Sequence, residues 1–192
     1  EYRRQRQMCI RDRARILQVI PESSLVLKAN HHGDSATQVL LRRRMLRQGL
    51  DPDRVIWLPL ADSFEDHLRQ YSQMDVALDS FPNSGCTTTC EALWMGVPVI
   101  TLTGSYYVSR MSTSVLHGAG LLHLCADTED EYVRLAVTEA SRLQWLRHKR
   151  DFWRRQIEDN PLGDAADLMH HLESCFQTLS CADTDLSSVN SR

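Results

Sequence analysis

The chain has 192 residues, of which 42% are hydrophobic and 24% are charged, and its formal net charge at pH 7 is −3. This length and composition are typical of a globular protein with one domain or one and a half. No apolar run reaches the ~18 residues of a membrane-spanning helix, and no apolar segment follows the arginine-rich N-terminus as in a secretory signal. We therefore expect no association with a membrane.

The six cysteines include no Cys-x-x-Cys pair and no spacing typical of metal ligands. This pattern favours free thiols and a cytoplasmic location. The histidine pairs at 31–32 and 170–171 are more typical of a protein surface than of a metal site, and we expect no metal to bind.

Residues 1–13 show no hydrophobic period, and the segment from Met8 to Arg13 resembles the translated read-through of a sequencing adapter. We expect residues 1–13 to be non-native and exclude them from the reasoning about the fold. The alternative is a basic arm that binds nucleic acid. Removing their five arginines, one Asp and one Glu changes the formal charge from −3 to −6. An acidic remainder offers no footprint for nucleic acid, and we expect none to bind.

From residue 14 onwards, predicted strands and helices alternate. A helix ends near residue 20, and the predicted strands are residues 24–28, 54–58, 75–79, 99–102 and 121–124. Between them lie predicted helices at 35–50, 64–74, 87–95 and 108–117, with Ser63 as one helix cap and Gly96 as one helix end. Single helices between strands imply parallel β-α-β units. The sequence thus predicts an α/β fold with a parallel sheet and helices on both faces.

After residue 124 the pattern changes to helices alone. Helices are predicted at residues 130–141, 143–157 and 164–179. Residues 180–192 are polar, and we expect them to form a disordered tail.

The stretch from Asp79 to Pro98 is the most informative part of the sequence. It has the residue types of a strand end, a small polar loop and a helix start rich in hydroxyl groups. Backbone N–H groups and the positive end of the helix dipole at such a position bind anions. Glu91 follows one turn after Thr87 on the same helical face, where its carboxylate can accept hydrogen bonds from a ribose. The stretch predicts a nucleotide or nucleotide-sugar site.

The same residues fit a second interpretation that needs no ligand. Thr88 and Glu91 have the spacing of a capping box, in which the two side chains satisfy the first backbone N–H groups of a helix. On the residues alone, the capping box and the ligand site are equally compatible with this spacing.

Ligands of parallel α/β sheets bind at the carboxyl ends of the strands. The loops predicted to form this rim are residues 30–34, 59–63, 80–88 and 103–110. Lys28, at a strand end, either meets phosphate charge or is solvated at the rim. Arg110 either binds an anion or pairs with Glu129 or Asp130.

The block from Arg54 to Leu122 resembles the C-terminal catalytic region of the protein O-linked N-acetylglucosamine transferases and the SPINDLY-type protein O-fucosyltransferases. The resemblance rests on Leu-Pro-Leu at 58–60, His67, residues 75–79, Gly-x-Thr-Thr-Thr-Cys-Glu at 85–91, Ala-Leu-Trp-Met-Gly-Val-Pro at 92–98 and Ser109-Arg110. It extends over essentially residues 14–179. Members of this family have two Rossmann-like halves in the GT-B arrangement, often behind tetratricopeptide repeats. This chain is similar to the second half, which holds the nucleotide.

The resemblance implies which residues bind the donor. Thr87 and Thr88 match the threonines that hold the donor diphosphate, and Glu91 matches the acidic position that binds the ribose. His67 matches a histidine of the donor pocket, and Ala61 matches a residue whose backbone lies near the base. The implied donor-binding residues are Ala61, His67, Gly85, Cys86, Thr87, Thr88 and Glu91, with Lys28, Thr89 and Arg110 as a second tier.

Two positions depart from the family pattern. Cys86 stands where histidine is usual in the N-acetylglucosamine transferases and threonine in SPINDLY-like members, and Gln70 stands where some transferases have arginine. The resemblance implies a UDP-sugar donor, with GlcNAc as the sugar, and leaves a GDP-sugar donor and an O-fucosyltransferase activity as the alternative.

The implied activity is transfer of a sugar to serine or threonine hydroxyls of a protein or peptide, with inversion and without a metal ion or cofactor. The catalytic residues for the acceptor belong to the first half of the family fold, which we expect this chain to lack, so it should bind without turnover. Two other classes stay open. One is a non-catalytic module that binds a nucleotide sugar or a protein partner, and the other is a different GT-B enzyme, such as a small-molecule glycosyltransferase or a sugar-nucleotide epimerase.

Overall fold

The computed structural model of the chain describes residues 2–28 and 35–189. Its helices are α1 (Tyr2–Val19), α2 (Ser35–Arg47), α3 (Phe64–Arg69), α4 (Thr87–Trp94), α5 (Met111–Gly118), α6 (Glu129–Ala140), α7 (Leu143–His148), α8 (Arg150–Glu158) and α9 (Ala165–Val189). Its strands are β1 (Leu25–Lys28), β2 (Val55–Leu58), β3 (Ala77–Leu78), β4 (Val99–Leu102) and β5 (Cys125–Ala126). Strands and helices alternate from β1 to α6, in the order that the sequence predicts.

Every strand pair in the described ranges is parallel. β1 pairs with β2, with Leu25 opposite Val55, and β4 lies between β3 and β5, with Ala77 opposite Val99. The prediction of a parallel α/β fold is therefore confirmed. The strands form two groups, β1-β2 and β3-β4-β5, rather than one continuous ladder across the described residues.

The larger hydrophobic core surrounds β4. Val99 and Ile100 are buried, and β4 contacts α4 and α5 as well as α6. Trp153 of α8 is 1% exposed and belongs to the same core. Because burying one large apolar side chain stabilises a fold by about 1.5–3 kcal/mol, this run of apolar residues holds β4 firmly between its helices.

A second, smaller core joins α1 to β1 and α2. Ile10, Ala14 and Leu17 lie on one face of α1 at helical spacing, and they pack in a cluster that contains Leu25 and Met45. The expectation that residues 1–13 bury nothing is therefore wrong at Ile10, which is 8% exposed. The division into a non-native segment and a domain from residue 14 stays a prediction.

Several element boundaries differ from the predicted ones, among them the end of the helix expected at 64–74, which stops as α3 at Arg69 and continues as the 3₁₀ turn Gln70–Gln73. The strand expected at 121–124 is a 3₁₀ turn (Leu122–Leu124) and the strand follows it as β5, because Gly120 at φ 69° reverses the chain after α5. The helix expected at 143–157 is interrupted at Lys149, between α7 and α8. α9 runs to Val189, where a disordered tail was expected from Ser180, since no Pro or Gly interrupts Ala165–Val189.

Two arginines connect elements that are distant in sequence. Arg54 donates to the carbonyl oxygens of Leu17, Ile20 and Ser23 at 2.7–3.1 Å and so closes the C-terminal end of α1. Arg150 of α8 donates to backbone carbonyl oxygens on two segments, those of Tyr71, Ser72, Met74 and Met95. Within the described ranges, no helix is both long enough and apolar enough to cross a membrane.

Candidate functional site

Asp79, directly after β3, organises the loop before α4. Its Oδ1 accepts hydrogen bonds from the backbone N–H groups of Ser80 at 2.9 Å and Gly85 at 2.8 Å. Its Oδ2 accepts from the Thr101 hydroxyl at 2.7 Å, which ties the loop to β4. Three donors on one carboxylate fix the path of residues 80–85. From the sequence, Asp79 is recognisable only as a strand end, and the signal that points to its role is an acid at the carboxyl end of a predicted strand.

Gly85 lies too close to its neighbours for a side chain. A Cβ at this position would lie 2.6 Å from Thr88 Oγ1 and 2.9 Å from Thr89 Oγ1. The requirement for glycine is therefore steric, and it lets the loop backbone lie directly against the start of α4.

α4 begins at Thr87 without a side-chain cap. Its N-cap residue, Cys86, is exposed and makes no capping hydrogen bond. Thr87 and Thr88 are exposed, and no group in the described part of the chain bonds their hydroxyls or backbone N–H groups. The predicted diphosphate-binding face of α4 is therefore open to a ligand.

Thr89, a second-tier candidate, points the other way. It is 2% exposed, and its hydroxyl lies 2.8 Å from Ser112 Oγ, which itself donates to the carbonyl oxygen of Gly85 at 2.9 Å. Thr89 and Ser112 thus fix the loop on its buried side, and the Thr89 hydroxyl is not available to a ligand. The prediction that Thr89 contacts the donor directly does not fit its buried position.

Glu91 does not form the capping box. Its Oε2 lies 3.0 Å from His67 Nε2 and 3.1 Å from the Tyr71 hydroxyl, while the N-cap of α4 is Cys86 rather than Thr88. The capping-box interpretation of the Thr88–Glu91 spacing is therefore wrong. The carboxylate therefore points towards α3 and the turn after it, and 13% of the Glu91 side chain is exposed.

His67 joins Glu91 to Lys28. Lys28 Nζ lies 2.6 Å from His67 Nδ1. An ammonium group only donates, so Nδ1 accepts and the ring proton is on Nε2, which donates to Glu91. The side chains of Lys28 in β1, His67 in α3 and Glu91 in α4 thus form a row of contacts at the carboxyl ends of the strands.

Ala61 lies beside this row of contacts. A groove of about 490 Å³ is lined by Lys28, Ala61 and His67, together with Leu60, Asp62, Ser63 and Phe64. Ser63 caps α3 as predicted, because its hydroxyl accepts from the backbone N–H of Asp66 at 3.1 Å. The loop at 59–63 is therefore positioned next to His67, which contacts the Glu91 carboxylate.

Arg110 is exposed on the other side of Cys86. Both lie along a groove of about 820 Å³ that also contains Tyr107. The predicted partners of Arg110 are occupied, since Glu129 pairs with Arg11 and Asp130 pairs with Arg15. The pairing alternative for Arg110 is therefore wrong.

Three of the four predicted rim loops converge. Ser84 donates from its backbone N–H and its hydroxyl to the carbonyl oxygen of Val108, each at 2.9 Å, which joins loop 80–88 to loop 103–110. Loop 59–63 leads directly into α3, whose His67 contacts Glu91 of α4. Loop 30–34, with His31 and His32, lies outside the described residues. No three His, Cys, Asp or Glu side chains group as metal ligands in the ranges that the structure covers.

Comparison with known proteins matches the chain, over residues 6–172, to the family model described as Glycosyl transferase family 41. A probable UDP-N-acetylglucosamine–peptide N-acetylglucosaminyltransferase SPINDLY of Petunia hybrida is 42% identical over 86% of this chain and 18% of its own length. A UDP-N-acetylglucosamine–peptide N-acetylglucosaminyltransferase of Caenorhabditis elegans is 32% identical over 83% of this chain and 14% of its own length.

A solved structure shows the same fold. A mutant O-GlcNAc transferase of Thermobaculum terrenum matches with a TM-score of 0.80 and 35% identity, covering 88% of this chain and 32% of that one. The chain therefore corresponds to a minor part of each relative's length. Since the family model covers all of the candidate site, from Lys28 to Arg110, the chain belongs to glycosyl transferase family 41.

Proposed function

We propose that this chain is the donor-binding half of a glycosyltransferase that moves N-acetylglucosamine from UDP-N-acetylglucosamine to serine or threonine hydroxyls of a peptide. The names of the relatives from Petunia hybrida and Caenorhabditis elegans support this donor and acceptor. The observation that carries the proposal is that the start of α4 has no side-chain cap and lies beside the Glu91 carboxylate, which contacts His67 and Tyr71 instead of capping the helix. These are the groups that a diphosphate and a ribose need, side by side.

Each group has a part in the transfer. The hydroxyls and N–H groups of Thr87 and Thr88 bind the diphosphate, and Glu91 binds the ribose. Negative charge develops on the diphosphate as the sugar leaves, and Lys28 and Arg110 supply positive charge on either side. One preorganised donor of this kind typically contributes about 2–4 kcal/mol to the transition state.

The transfer is inverting and uses no metal ion or cofactor in this proposal. The resemblance implies that the acceptor-binding and catalytic residues belong to the first half of the family fold, so the proposed role of these 192 residues is to bind the donor. A cytoplasmic location is supported by the free thiols of Cys9, Cys86, Cys90, Cys125 and Cys175. The net charge of −3 supports a protein or peptide acceptor rather than a nucleic acid.

Isothermal titration calorimetry with UDP, GDP and their sugars tests the proposal. We expect UDP to bind more tightly than GDP, and Thr88→Ala and Glu91→Ala each to weaken UDP about tenfold or more, in proportion to a lost charge-assisted hydrogen bond. Thr138→Ala and Glu173→Ala are matched controls on exposed faces of α6 and α9 and should bind UDP as the wild type does.

Each other result has a defined meaning. Tighter binding of GDP than of UDP would indicate the O-fucosyltransferase alternative. No binding of either nucleotide, by a chain whose circular dichroism shows it to be folded, would refute donor binding and favour a partner-binding module.

A further inference from the structure

Tyr71 contacts the carboxylate that we assign to the ribose. It lies in the 3₁₀ turn Gln70–Gln73 after α3, and only 7% of it is exposed. Its phenolic oxygen is 3.1 Å from Glu91 Oε2 and 3.4 Å from the carbonyl oxygen of Thr88. Because the phenol has a single proton, the shorter contact, to the charged acceptor, is the stronger hydrogen bond.

Glu91 Oε2 therefore receives two donors, the Tyr71 hydroxyl and His67 Nε2. Among the residues that the structure describes, no donor reaches Oε1 of the same carboxylate. A carboxylate held through one oxygen keeps the other in a fixed direction, and an unoccupied carboxylate oxygen is the acceptor that a ribose hydroxyl requires.

We propose that Tyr71 is a positioning residue for the donor nucleotide, which holds Glu91 so that Oε1 accepts hydrogen bonds from the ribose hydroxyls. This inference rests on the proposed function, because it takes Glu91 as the ribose contact. Tyr71 acts through Glu91 and does not itself touch the nucleotide.

Tyr71 suits this role better than His67 does. The His67 side chain is 28% exposed, and in its neutral form Nε2 donates to Glu91 only in the tautomer that carries the ring proton on Nε2. Burial, with the Glu91 carboxylate nearby, raises the pKa of Tyr71 above its usual value of 10.0. The phenol therefore keeps its proton across the neutral range and remains a donor to Glu91 whatever the state of the histidine.

The test compares UDP with 2′,3′-dideoxy-UDP, which lacks the ribose hydroxyls, by calorimetry on the 192-residue chain. Tyr71→Phe keeps the ring and removes one hydroxyl. We expect it to weaken UDP about fivefold to tenfold and to leave 2′,3′-dideoxy-UDP unchanged, as for one lost hydrogen bond to a charged group. If GDP binds more tightly than UDP, the corresponding guanosine pair replaces these probes.

Tyr132→Phe is the matched control. Tyr132 is 1% exposed and donates its hydroxyl to the carbonyl oxygen of Asp79 at 2.8 Å, away from Glu91. Losing this hydroxyl should affect UDP and 2′,3′-dideoxy-UDP equally, so the ratio of the two affinities stays at the wild-type value. In a Glu91→Gln background, Tyr71→Phe should cause no further change in that ratio.

If the wild type binds UDP, the proposed function is upheld. Two results would then still overturn the positioning role of Tyr71. One is that Tyr71→Phe weakens both nucleotides equally or not at all. The other is that the wild type binds UDP and 2′,3′-dideoxy-UDP with the same affinity, since Glu91 would then not contact the ribose. Absence of any nucleotide binding by the wild type would refute the proposed function itself, and this inference with it.

Discussion

Replacing Gly85 by alanine tests the packing of the loop against the start of α4. The added Cβ would lie 2.6 Å from Thr88 Oγ1 and 2.9 Å from Thr89 Oγ1, well inside ordinary contact, which begins near 3.4 Å. The exposed Thr88 side chain can rotate away, but Thr89 is buried and bonded to Ser112, so the loop itself must move. Overpacking of this kind costs about 1–2 kcal/mol, which for a chain of this size lowers Tm by about 3–6 °C.

The same displacement moves the N–H groups that we propose bind the diphosphate. We expect UDP to bind Gly85→Ala about tenfold more weakly, equivalent to about 1.4 kcal/mol. Thermal unfolding by circular dichroism and calorimetric titration with UDP measure the two effects separately.

Gly118→Ala is the control for the loss of a glycine. A Cβ at Gly118, in the last turn of α5, meets the nearest atom of Leu162 at 3.4 Å, which is ordinary contact. This variant should keep the wild-type affinity and a Tm equal to or above that of the wild type, because alanine favours a helix. If Gly85→Ala matched the wild type in both Tm and UDP affinity, the steric argument would be wrong.

Two further predictions concern stability. Arg54→Ala removes the hydrogen-bond donors to the end of α1, and it should lower the free energy of unfolding, measured in urea, by about 2–3 kcal/mol. Arg54→Lys should recover less than half of this loss. A loss below about 0.5 kcal/mol in Arg54→Ala would contradict the role of Arg54. Burial raises the pKa of Cys125 from 9.0 to about 11. As the pH rises, the thiol therefore ionises first in the unfolded chain. The contribution of Cys125 to the free energy of unfolding is intact below pH 9 and falls from pH 9 to 11. Cys125→Ala should show a shallower decline over that range, and an identical decline would argue against the shift.

The sequence was sufficient to predict those elements whose signals are local. The apolar run at 99–102, bounded by Pro98, predicts β4 to the residue, and Ser63 caps α3 where its residue type predicts. The loop between β3 and α4 was likewise recognisable, because its glycine and hydroxyl residues are contiguous. Family resemblance then assigned roles that residue spacing alone could not.

Contacts between distant residues were not predictable in this way. The buried face of α1 crosses residue 14, so a boundary placed there separated Ile10 from Ala14 and Leu17 and hid their common spacing. Tyr71 lies 20 residues before Glu91, and nothing in its own surroundings in the sequence indicates that the two side chains meet.

Contacts between residues that are distant in the sequence also limit how short a functional fragment of this protein can be. Arg150 holds the backbone of Tyr71 and Met74 on one side and that of Met95, at the end of α4, on the other. α8 thus stabilises the segments that carry Tyr71 and Glu91 in the proposed nucleotide site. A minimal fragment for the proposed nucleotide binding must therefore extend into α8, whereas α9, exposed over residues 165–180, can be shortened without removing any of these bonds.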